Sequence, residues 1–434
     1  MTSGLMIATY ILPLLLVWAG VAGWAKYRES RVVKVQKAAV EAGLIEPPSL
    51  HPVIDPEFCI GCAACVTACP EGEILGLING KAQLIEPSHC IGHGACATAC
   101  PMGAIKLVFG TEQRGIDIPF VDPNFQTNVP DIYIAGELGG MGLIRNAIEQ
   151  GRQAMVEIAR NKLEQNGEIL DVAIVGAGPA GLSASLAATE AGLKFITIEQ
   201  DSLGGTVSHF PRGKLVMTAP AYLPMYGQMN FRETTKEALL EFWNKVVADT
   251  GLKVNFEERV DGIEKKADGF HIATSKGSYI AKSVLLTIGR RGTPRKLGVA
   301  GEENSKVVYR LIDAEQYRGK NVLVVGGGDS ALEAATSIAE IPDTKVTISY
   351  RSDGFSRAKL KNRDKVDTMQ ASGNLDVLLG SNVVEIYQYS VNINHSGQDL
   401  TLVNDAVIVC AGGILPTQFL KSAGVEVETK YGTE

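Results

Sequence analysis

The sequence predicts an α/β protein with two dinucleotide-binding domains, a small cysteine-rich α+β domain and an N-terminal transmembrane helix. Three observations predict it: two glycine-rich turns that each follow a short apolar strand, seven of the eight cysteines gathered between Cys59 and Cys100, and an uncharged apolar stretch from Leu5 to Ala25. At 434 residues the chain exceeds one ordinary core and suits several domains. Its formal net charge is −7 and no long basic run occurs, so nucleic acid is not an expected partner: phosphate binding requires a basic face.

The N-terminal stretch comes first. Between Leu5 and Ala25 no side chain is charged, and its apolar centre is Ile11 to Trp18. That length matches the roughly 20 residues needed to span a bilayer. No basic residue lies between Met1 and Met6, which argues against a secretory signal. Lys26, Arg28, Arg31, Lys34 and Lys37 follow at once, and excess positive charge marks the cytoplasmic flank. The expectation is one uncleaved single-pass anchor over residues 1–25 in the cell inner membrane, N-terminus outside, with the catalytic domains cytoplasmic. The alternative is a buried helix of a soluble domain, but no polar face recurs at helical spacing. Residues 26–50 read as a linker, with Pro47, Pro48, Pro52 and Pro56 stiffening the entry to the next unit.

Residues 51–110 carry two copies of one run, Cys59-x2-Cys62-x2-Cys65-x3-Cys69-Pro70 and Cys90-x2-His93-x2-Cys96-x3-Cys100-Pro101. Such tight grouping is metal-ligand spacing and not a disulfide framework, and thiolates held ready for metal imply a reducing compartment. The run resembles that of bacterial two-cluster ferredoxins, where the fourth Cys of each run ligates the other cluster. Carried over, the resemblance gives Cys59, Cys62, Cys65 and Cys100 to one 4Fe-4S cluster. It gives Cys90, Cys96 and Cys69 to a second, with His93 where a fourth thiolate is expected. Zinc also binds paired Cys-x-x-Cys motifs, but a tetrahedral zinc site requires neither the trailing Cys-Pro nor the duplication. For His93 three outcomes stand open: ligation of iron in a second 4Fe-4S cluster, a 3Fe-4S cluster with His93 merely nearby, or a ring that hydrogen-bonds to a sulfide or faces solvent.

The glycine turns come next. Asp171 to Val175 is an apolar strand, Gly176-Ala-Gly178-Pro179-Ala180-Gly181 follows, then an Ala-rich helix to about Ala191, and a second strand ends in Glu199. This is a Rossmann-like dinucleotide fingerprint in context. Glycines let the backbone approach a pyrophosphate, the helix N-terminus favours its charge, and the acid accepts ribose hydroxyls. Val322 to Val325 with Gly326-Gly-Gly328-Asp329-Ser330-Ala331 opens a second unit, whose next strand ends at Tyr350-Arg351. An Arg in place of the acid suits a ribose carrying a 2′-phosphate, so Arg351 and Arg357 are candidates for NADPH recognition, with Lys359 assisting; a solvated basic loop is the bland alternative.

These motifs, together with Leu286-Thr-Ile-Gly289, Pro294-Arg-Lys-Leu-Gly298 and Gly204-Gly205-Thr206 after the first acid, resemble the thioredoxin reductase-like flavoproteins over roughly residues 125–420. The resemblance implies FAD on the first unit and NADP(H) on the unit inserted into it. That family's thiol chemistry needs a Cys-x-x-Cys before the second glycine motif, where this chain has Val308 to Tyr317 without cysteine. Thioredoxin reduction is therefore not expected, and disulfide-free ferredoxin reductases are the nearer kin.

A second departure concerns order. The family's C-terminal FAD segment, Thr-x-x-x-Gly-(Ile/Val)-(Phe/Tyr)-Ala-x-Gly-Asp and a helix, occurs here before the first glycine turn, as Thr127-Asn-Val-Pro-Asp131-Ile-Tyr133-Ile-Ala-Gly136-Glu137 and Gly142 to Gly151. The FAD domain thus reads as circularly permuted. The moved segment is 111–165, the FAD-binding domain 166–290, the NADPH-binding domain 291–412, and 413–434 the return to the FAD domain. Glu137 replaces the family's Asp and should accept a ribityl hydrogen bond one methylene further out. The helix from Gly142 would present its N–H groups to the flavin's pyrimidine edge. Cys410, in the apolar run Ala406 to Ala411, reads as a small core residue.

The expected function is a membrane-anchored oxidoreductase passing electrons from NADPH through FAD to the clusters and on to a one-electron acceptor, or in reverse from ferredoxin toward NADP+. The acceptor (quinone, soluble ferredoxin, or a membrane desaturase or oxygenase) is not legible, and self-association into a homodimer stands open. No catalytic acid or nucleophile is expected. The competing reading is a non-catalytic redox sensor or electron-transfer subunit of a membrane complex.

Overall fold

A computed structural model describes residues 3–41, 47, 50–72, 74–87, 90, 92, 94–112, 115–140, 142–160, 169–290, 292–356 and 358–432. His93 and Arg357 lie outside the described residues, as do the side chains of residues 3–12 and 14. The chain forms two compact units, Met1–Ile116 with Lys430–Glu434, and Asp117–Thr429.

The first unit begins with one helix, α1 (Ser3–Glu41), 39 residues long with Pro13 inside it. The helix runs without interruption through residue 25, where anchor and linker were expected to meet. Lys26 to Glu41 contains neither Gly nor Pro and is rich in good helix formers, so the helix continues. Its second half is docked. Glu29 Oε1 accepts the Asn79 N–H at 2.6 Å, Gln36 bonds Gln83 at 3.2 Å, and a Cβ on Gly76 would overlap Val32. Its first half leaves Leu16, Trp18, Val21 and Trp24 more than 60% exposed. Among the described residues no helix is long and apolar enough to cross a membrane. The expected transmembrane span therefore finds no counterpart there.

Beyond α1 the unit is a duplicated pair of half-motifs. β1 (His51–Ile54) pairs antiparallel with a strand at Ile105–Val108, and β2 (Leu75–Ile78) with β3 (Lys81–Leu84) through Asn79-Gly80, both at positive φ as the tight hairpin turn demands. Short helices Ala64–Ala68 and Ala95–Thr98 are each entered from a left-handed residue, Ala63 at φ 59° and Gly94 at φ 77°. The internal repeat of the sequence is thus visible in the backbone. Cys59, Cys65, Leu75, Ala82, Cys96, Ala104 and Ile105 form its core.

The second unit holds two mostly parallel sheets, whose central strands are near-continuous apolar runs because both faces are covered. In the first sheet β7 (Leu170–Val175) lies between a strand at Phe195–Ile198 and a long strand at Gly277–Leu286. That long strand also pairs with β6 (Ile132–Ile134) in parallel, Val284 opposite Ile132. The strand from before the first glycine turn is therefore part of the sheet that carries the turn. Helix α4 (Ile144–Arg160) packs on α5 (Pro179–Glu190) so closely that a Cβ on Gly151 would overlap the Ala180 carbonyl. The second sheet runs Val307–Val308, Ala406–Val409, Asn321–Val325, Lys345–Tyr350, Leu375–Leu379, all parallel. Near the chain's end, Val427–Lys430 pairs with Ile116–Pro119, and the Phe120 N–H donates to the Glu426 carbonyl at 2.9 Å. The Thr417 and Thr429 hydroxyls both donate to the Asp117 carboxylate.

Candidate functional site

At the first turn, β7 ends on Gly176 at φ 106°, where a Cβ would stand 2.7 Å from the Thr287 carbonyl, and a Cβ on Gly181 would overlap the Gly176 carbonyl. Only glycine permits this strand-to-helix geometry. Gly178 is the N-cap of α5 and Pro179 its first residue, where the missing N–H costs nothing. Gly205, at φ 54°, approaches the Gly178 backbone, so two positions without side chains face each other across the turn; Thr206 follows in a short 3-10 helix, Gly205–His209. Such a cradle, which side chains would fill, fits a pyrophosphate. Glu199 is 6% exposed; its Oε2 accepts the Ala177 N–H at 2.7 Å and burial pushes its carboxyl up.

The moved segment meets this turn. A Cβ on Gly136 would come within 3.0 Å of Ala180, and Glu137 lies beside Gly142 and Gly289. Arg290, which sequence reasoning passed over, donates to the Asp117 carbonyl at 3.1 Å. Burial lowers its guanidinium pKa, while Glu137 and Asp117 act in the opposite sense. Its only sequence signal was its place directly after Gly289. The helix expected from Gly142 starts at Ile144, because the Leu143 carbonyl accepts from Ala147, and it runs on past Gly151 to Arg160.

At the second turn, Gly326 at φ 142° lies against the Cys410 carbonyl and Gly328 caps α7 (Asp329–Ala339). Asp329 Oδ1 accepts the Lys359 N–H at 2.8 Å and the Asn362 amide at 2.7 Å, which brings the start of Lys359's helix to the turn. Ser330 and Arg351 are exposed. Cys410, just past the strand end at Val409, is half-buried at this turn and packs against the core around the second sheet, at its edge and not fully inside it as expected. Where the family's thiol pair would stand, Arg310 bonds His209 Nδ1, whose Nε2 lies 3.3 Å from Asp201.

In the first unit the thiols divide between two pockets. Cys59, Cys62, Cys65 and Cys100 line one; Cys69, Cys90 and Cys96 line the other. Each run thus lends its last cysteine to the other's group. Among the described residues no three His, Cys, Asp or Glu side chains converge as on a single ion. The Ala82 and Ala104 N–H groups point at Cys59 Sγ and Cys100 Sγ, each at 3.4 Å. Burial pushes the Cys90 thiol up to about 11 and raises Cys65, Cys69 and Cys96. A largely buried set of thiols with N–H···S support, Cys62 alone being exposed, fits a cationic iron-sulfur core, whose charge offsets the cost of ionising these thiols.

Residues 173–433 match the family model of the pyridine nucleotide-disulphide oxidoreductases. The chain belongs to that family. Residues 51–101 match the 4Fe-4S dicluster domain. A ferredoxin–NADP reductase of Ignicoccus hospitalis is 29% identical over 268 residues, 60% of this chain and 83% of its own. One from Streptococcus thermophilus is 33% identical over 198 residues, 43% of this chain, which spans 56% of that relative's length. Among solved structures, a bacillithiol disulfide reductase of Bacillus cereus is 25% identical with a TM-score of 0.52, covering 60% of this chain and 83% of its own. This member of the family is thus an FAD-dependent NAD(P)H oxidoreductase joined to a 4Fe-4S domain.

Proposed function

We propose that the protein passes electrons between NADPH and a one-electron acceptor by way of FAD and two iron-sulfur clusters. The observation that carries this reading is the division of seven thiols between two cavities, in a chain with no cysteine from Val308 to Tyr317. When bound, FAD takes an electron pair from nicotinamide and yields single electrons, which iron-sulfur clusters accept. Gly176, Gly178, Gly181, Gly204 and Gly205 would hold its pyrophosphate, Glu199 its adenosine ribose, and Gly136 and Glu137 its ribityl chain. The second turn, Gly326 to Ser330, would hold NADPH, with Arg351 toward the 2′-phosphate. Cys59, Cys62, Cys65 and Cys100 would ligate one 4Fe-4S cluster and Cys69, Cys90 and Cys96 a second cluster. The names of the ferredoxin–NADP reductase relatives support flow in either direction.

Anaerobic NADPH should bleach both the flavin and the iron-sulfur absorbance of the purified protein. Persistence of both bands in excess NADPH would count for a non-catalytic subunit instead.

Membrane attachment through the first half of α1 belongs to the same proposal, supported by its exposed Trp18, Val21 and Trp24 and the basic residues that follow. Deletion of residues 2–25 is expected to move the protein from the membrane to the soluble fraction on cell fractionation, with its cluster spectrum unchanged. Retention at the membrane after this deletion would refute the anchor.

A further inference from the structure

We infer that Glu71 tunes the second cluster: its carboxylate replaces, through space, the negative charge of the thiolate that position 93 does not supply, and holds that cluster's reduction potential down. This rests on the proposal that two iron-sulfur clusters bind the thiols of the first unit, and it concerns the one on Cys69, Cys90 and Cys96.

The sequence repeat sets up the comparison. Cys69-Pro70-Glu71-Gly72 in the first run corresponds to Cys100-Pro101-Met102-Gly103 in the second. Both fold into the same turn. The Gly72 N–H donates back to the Cys69 carbonyl at 3.4 Å and the Gly103 N–H to the Cys100 carbonyl at 3.3 Å, with the glycines at φ 86° and 60°. Proline in the second place of such a turn and glycine in the fourth are the residues it favours. Glu71 and Met102 therefore occupy the same corner. Each lines the pocket of the cysteine it follows: Met102 that of Cys59, Cys62, Cys65 and Cys100, and Glu71 that of Cys69, Cys90 and Cys96. One thiol set has a thioether at its edge and the other a carboxylate.

The pocket with the carboxylate is also the one short of a thiolate. In its second place the first run has Cys62, where the second run has His93. One thiolate fewer means one ligand charge fewer, and lower negative charge makes the added electron of reduction easier to accept. Glu71 returns one negative charge to that pocket. Burial raises the Cys69 and Cys90 thiols and the Glu71 charge adds to the rise at both, so the carboxylate acts on ligands from both runs. A neighbouring carboxylate opposes reduction of a cluster for the same electrostatic reason. Met102 exerts no such force on the first cluster. The consequence is that the two potentials stay near each other, and an electron crosses between the clusters without a steep step.

Anaerobic redox titration of the purified full chain, followed by low-temperature electron paramagnetic resonance, reads each cluster's potential without turnover. Glu71→Gln should make one cluster easier to reduce by roughly three- to tenfold, or about 30–60 mV at about 59 mV per tenfold for one electron, the scale of a partly screened unit charge. The other cluster should keep its potential. Met102→Glu should shift that other cluster by a similar factor in the opposite direction. Because Glu71 is exposed, the gap between the parent and Glu71→Gln should narrow as salt is added. Iron and acid-labile sulfide per chain should be the same in Glu71→Gln as in the parent; their loss would mean that a ligand and not a neighbouring charge had been removed, and overturns the inference. Potentials unaltered by Glu71→Gln in a protein that holds both clusters overturn the role of Glu71 and leave the cluster reading standing, as does a shift of one and the same signal by both variants. Absence of iron and sulfide from the unmodified protein overturns the cluster reading itself.

Discussion

A Cys59→Ala variant should still lose its flavin absorbance to NADPH at near the normal rate, yet lose reduction of a one-electron acceptor by at least roughly tenfold. Cys59 is 9% exposed and shares its cavity with Cys62, Cys65 and Cys100. Its sulfur also takes the Ala82 N–H, so alanine removes a ligand and leaves a buried donor without its acceptor. The glycine turns belong to the other unit, and hydride entry there should be spared. Stopped-flow mixing under anaerobic conditions separates the two events. Acceptor reduction at the full rate in this variant would show that electrons leave the flavin directly and that the clusters serve another purpose.

Gly151→Ala should destabilise the second unit and release FAD, although alanine is by itself the better helix former. Propensity favours alanine by about 1 kcal/mol in a helix interior. Against this, the added methyl would overlap the carbonyl of Ala180, one residue into α5, and backbone there cannot yield without shifting the glycine turn. Overpacking of this kind typically costs about 1–3 kcal/mol. The net sign should therefore be destabilising, measured by urea unfolding alongside retained flavin. Gly277→Ala is the control, since no atom lies within 4 Å of its added methyl. A Gly151→Ala protein more stable than the parent would mean that α4 does not clamp the first turn.

What the sequence revealed best was chemistry bound to spacing. The cysteine runs and both glycine turns could be placed because a cluster or a pyrophosphate tolerates few alternatives, and Gly136 was legible for the same reason. Arg290 was not, because it acts through a neighbour distant in sequence, Asp117. That one helix continues through the junction of anchor and linker was not legible for a third reason. Hydropathy changes at Lys26, but helix propensity does not, and the docking of Glu29, Val32 and Gln36 on the cysteine-rich unit continues the helix through the change.

The pairing of Ile116–Pro119 with Val427–Lys430 joins an early strand to one of the last. During synthesis the cysteine-rich unit has nearly all its residues before the first glycine turn has been made, so cluster assembly can start on a nascent chain. The six-stranded sheet that carries the first glycine turn has all its strands once Leu286 is made, but Ile116–Pro119 stays unpaired until Val427–Lys430 leaves the ribosome. At roughly 5–20 residues per second the early strand waits on the order of tens of seconds with an open edge. That edge, and not the finished surface, is where a chaperone acting on this protein would be needed.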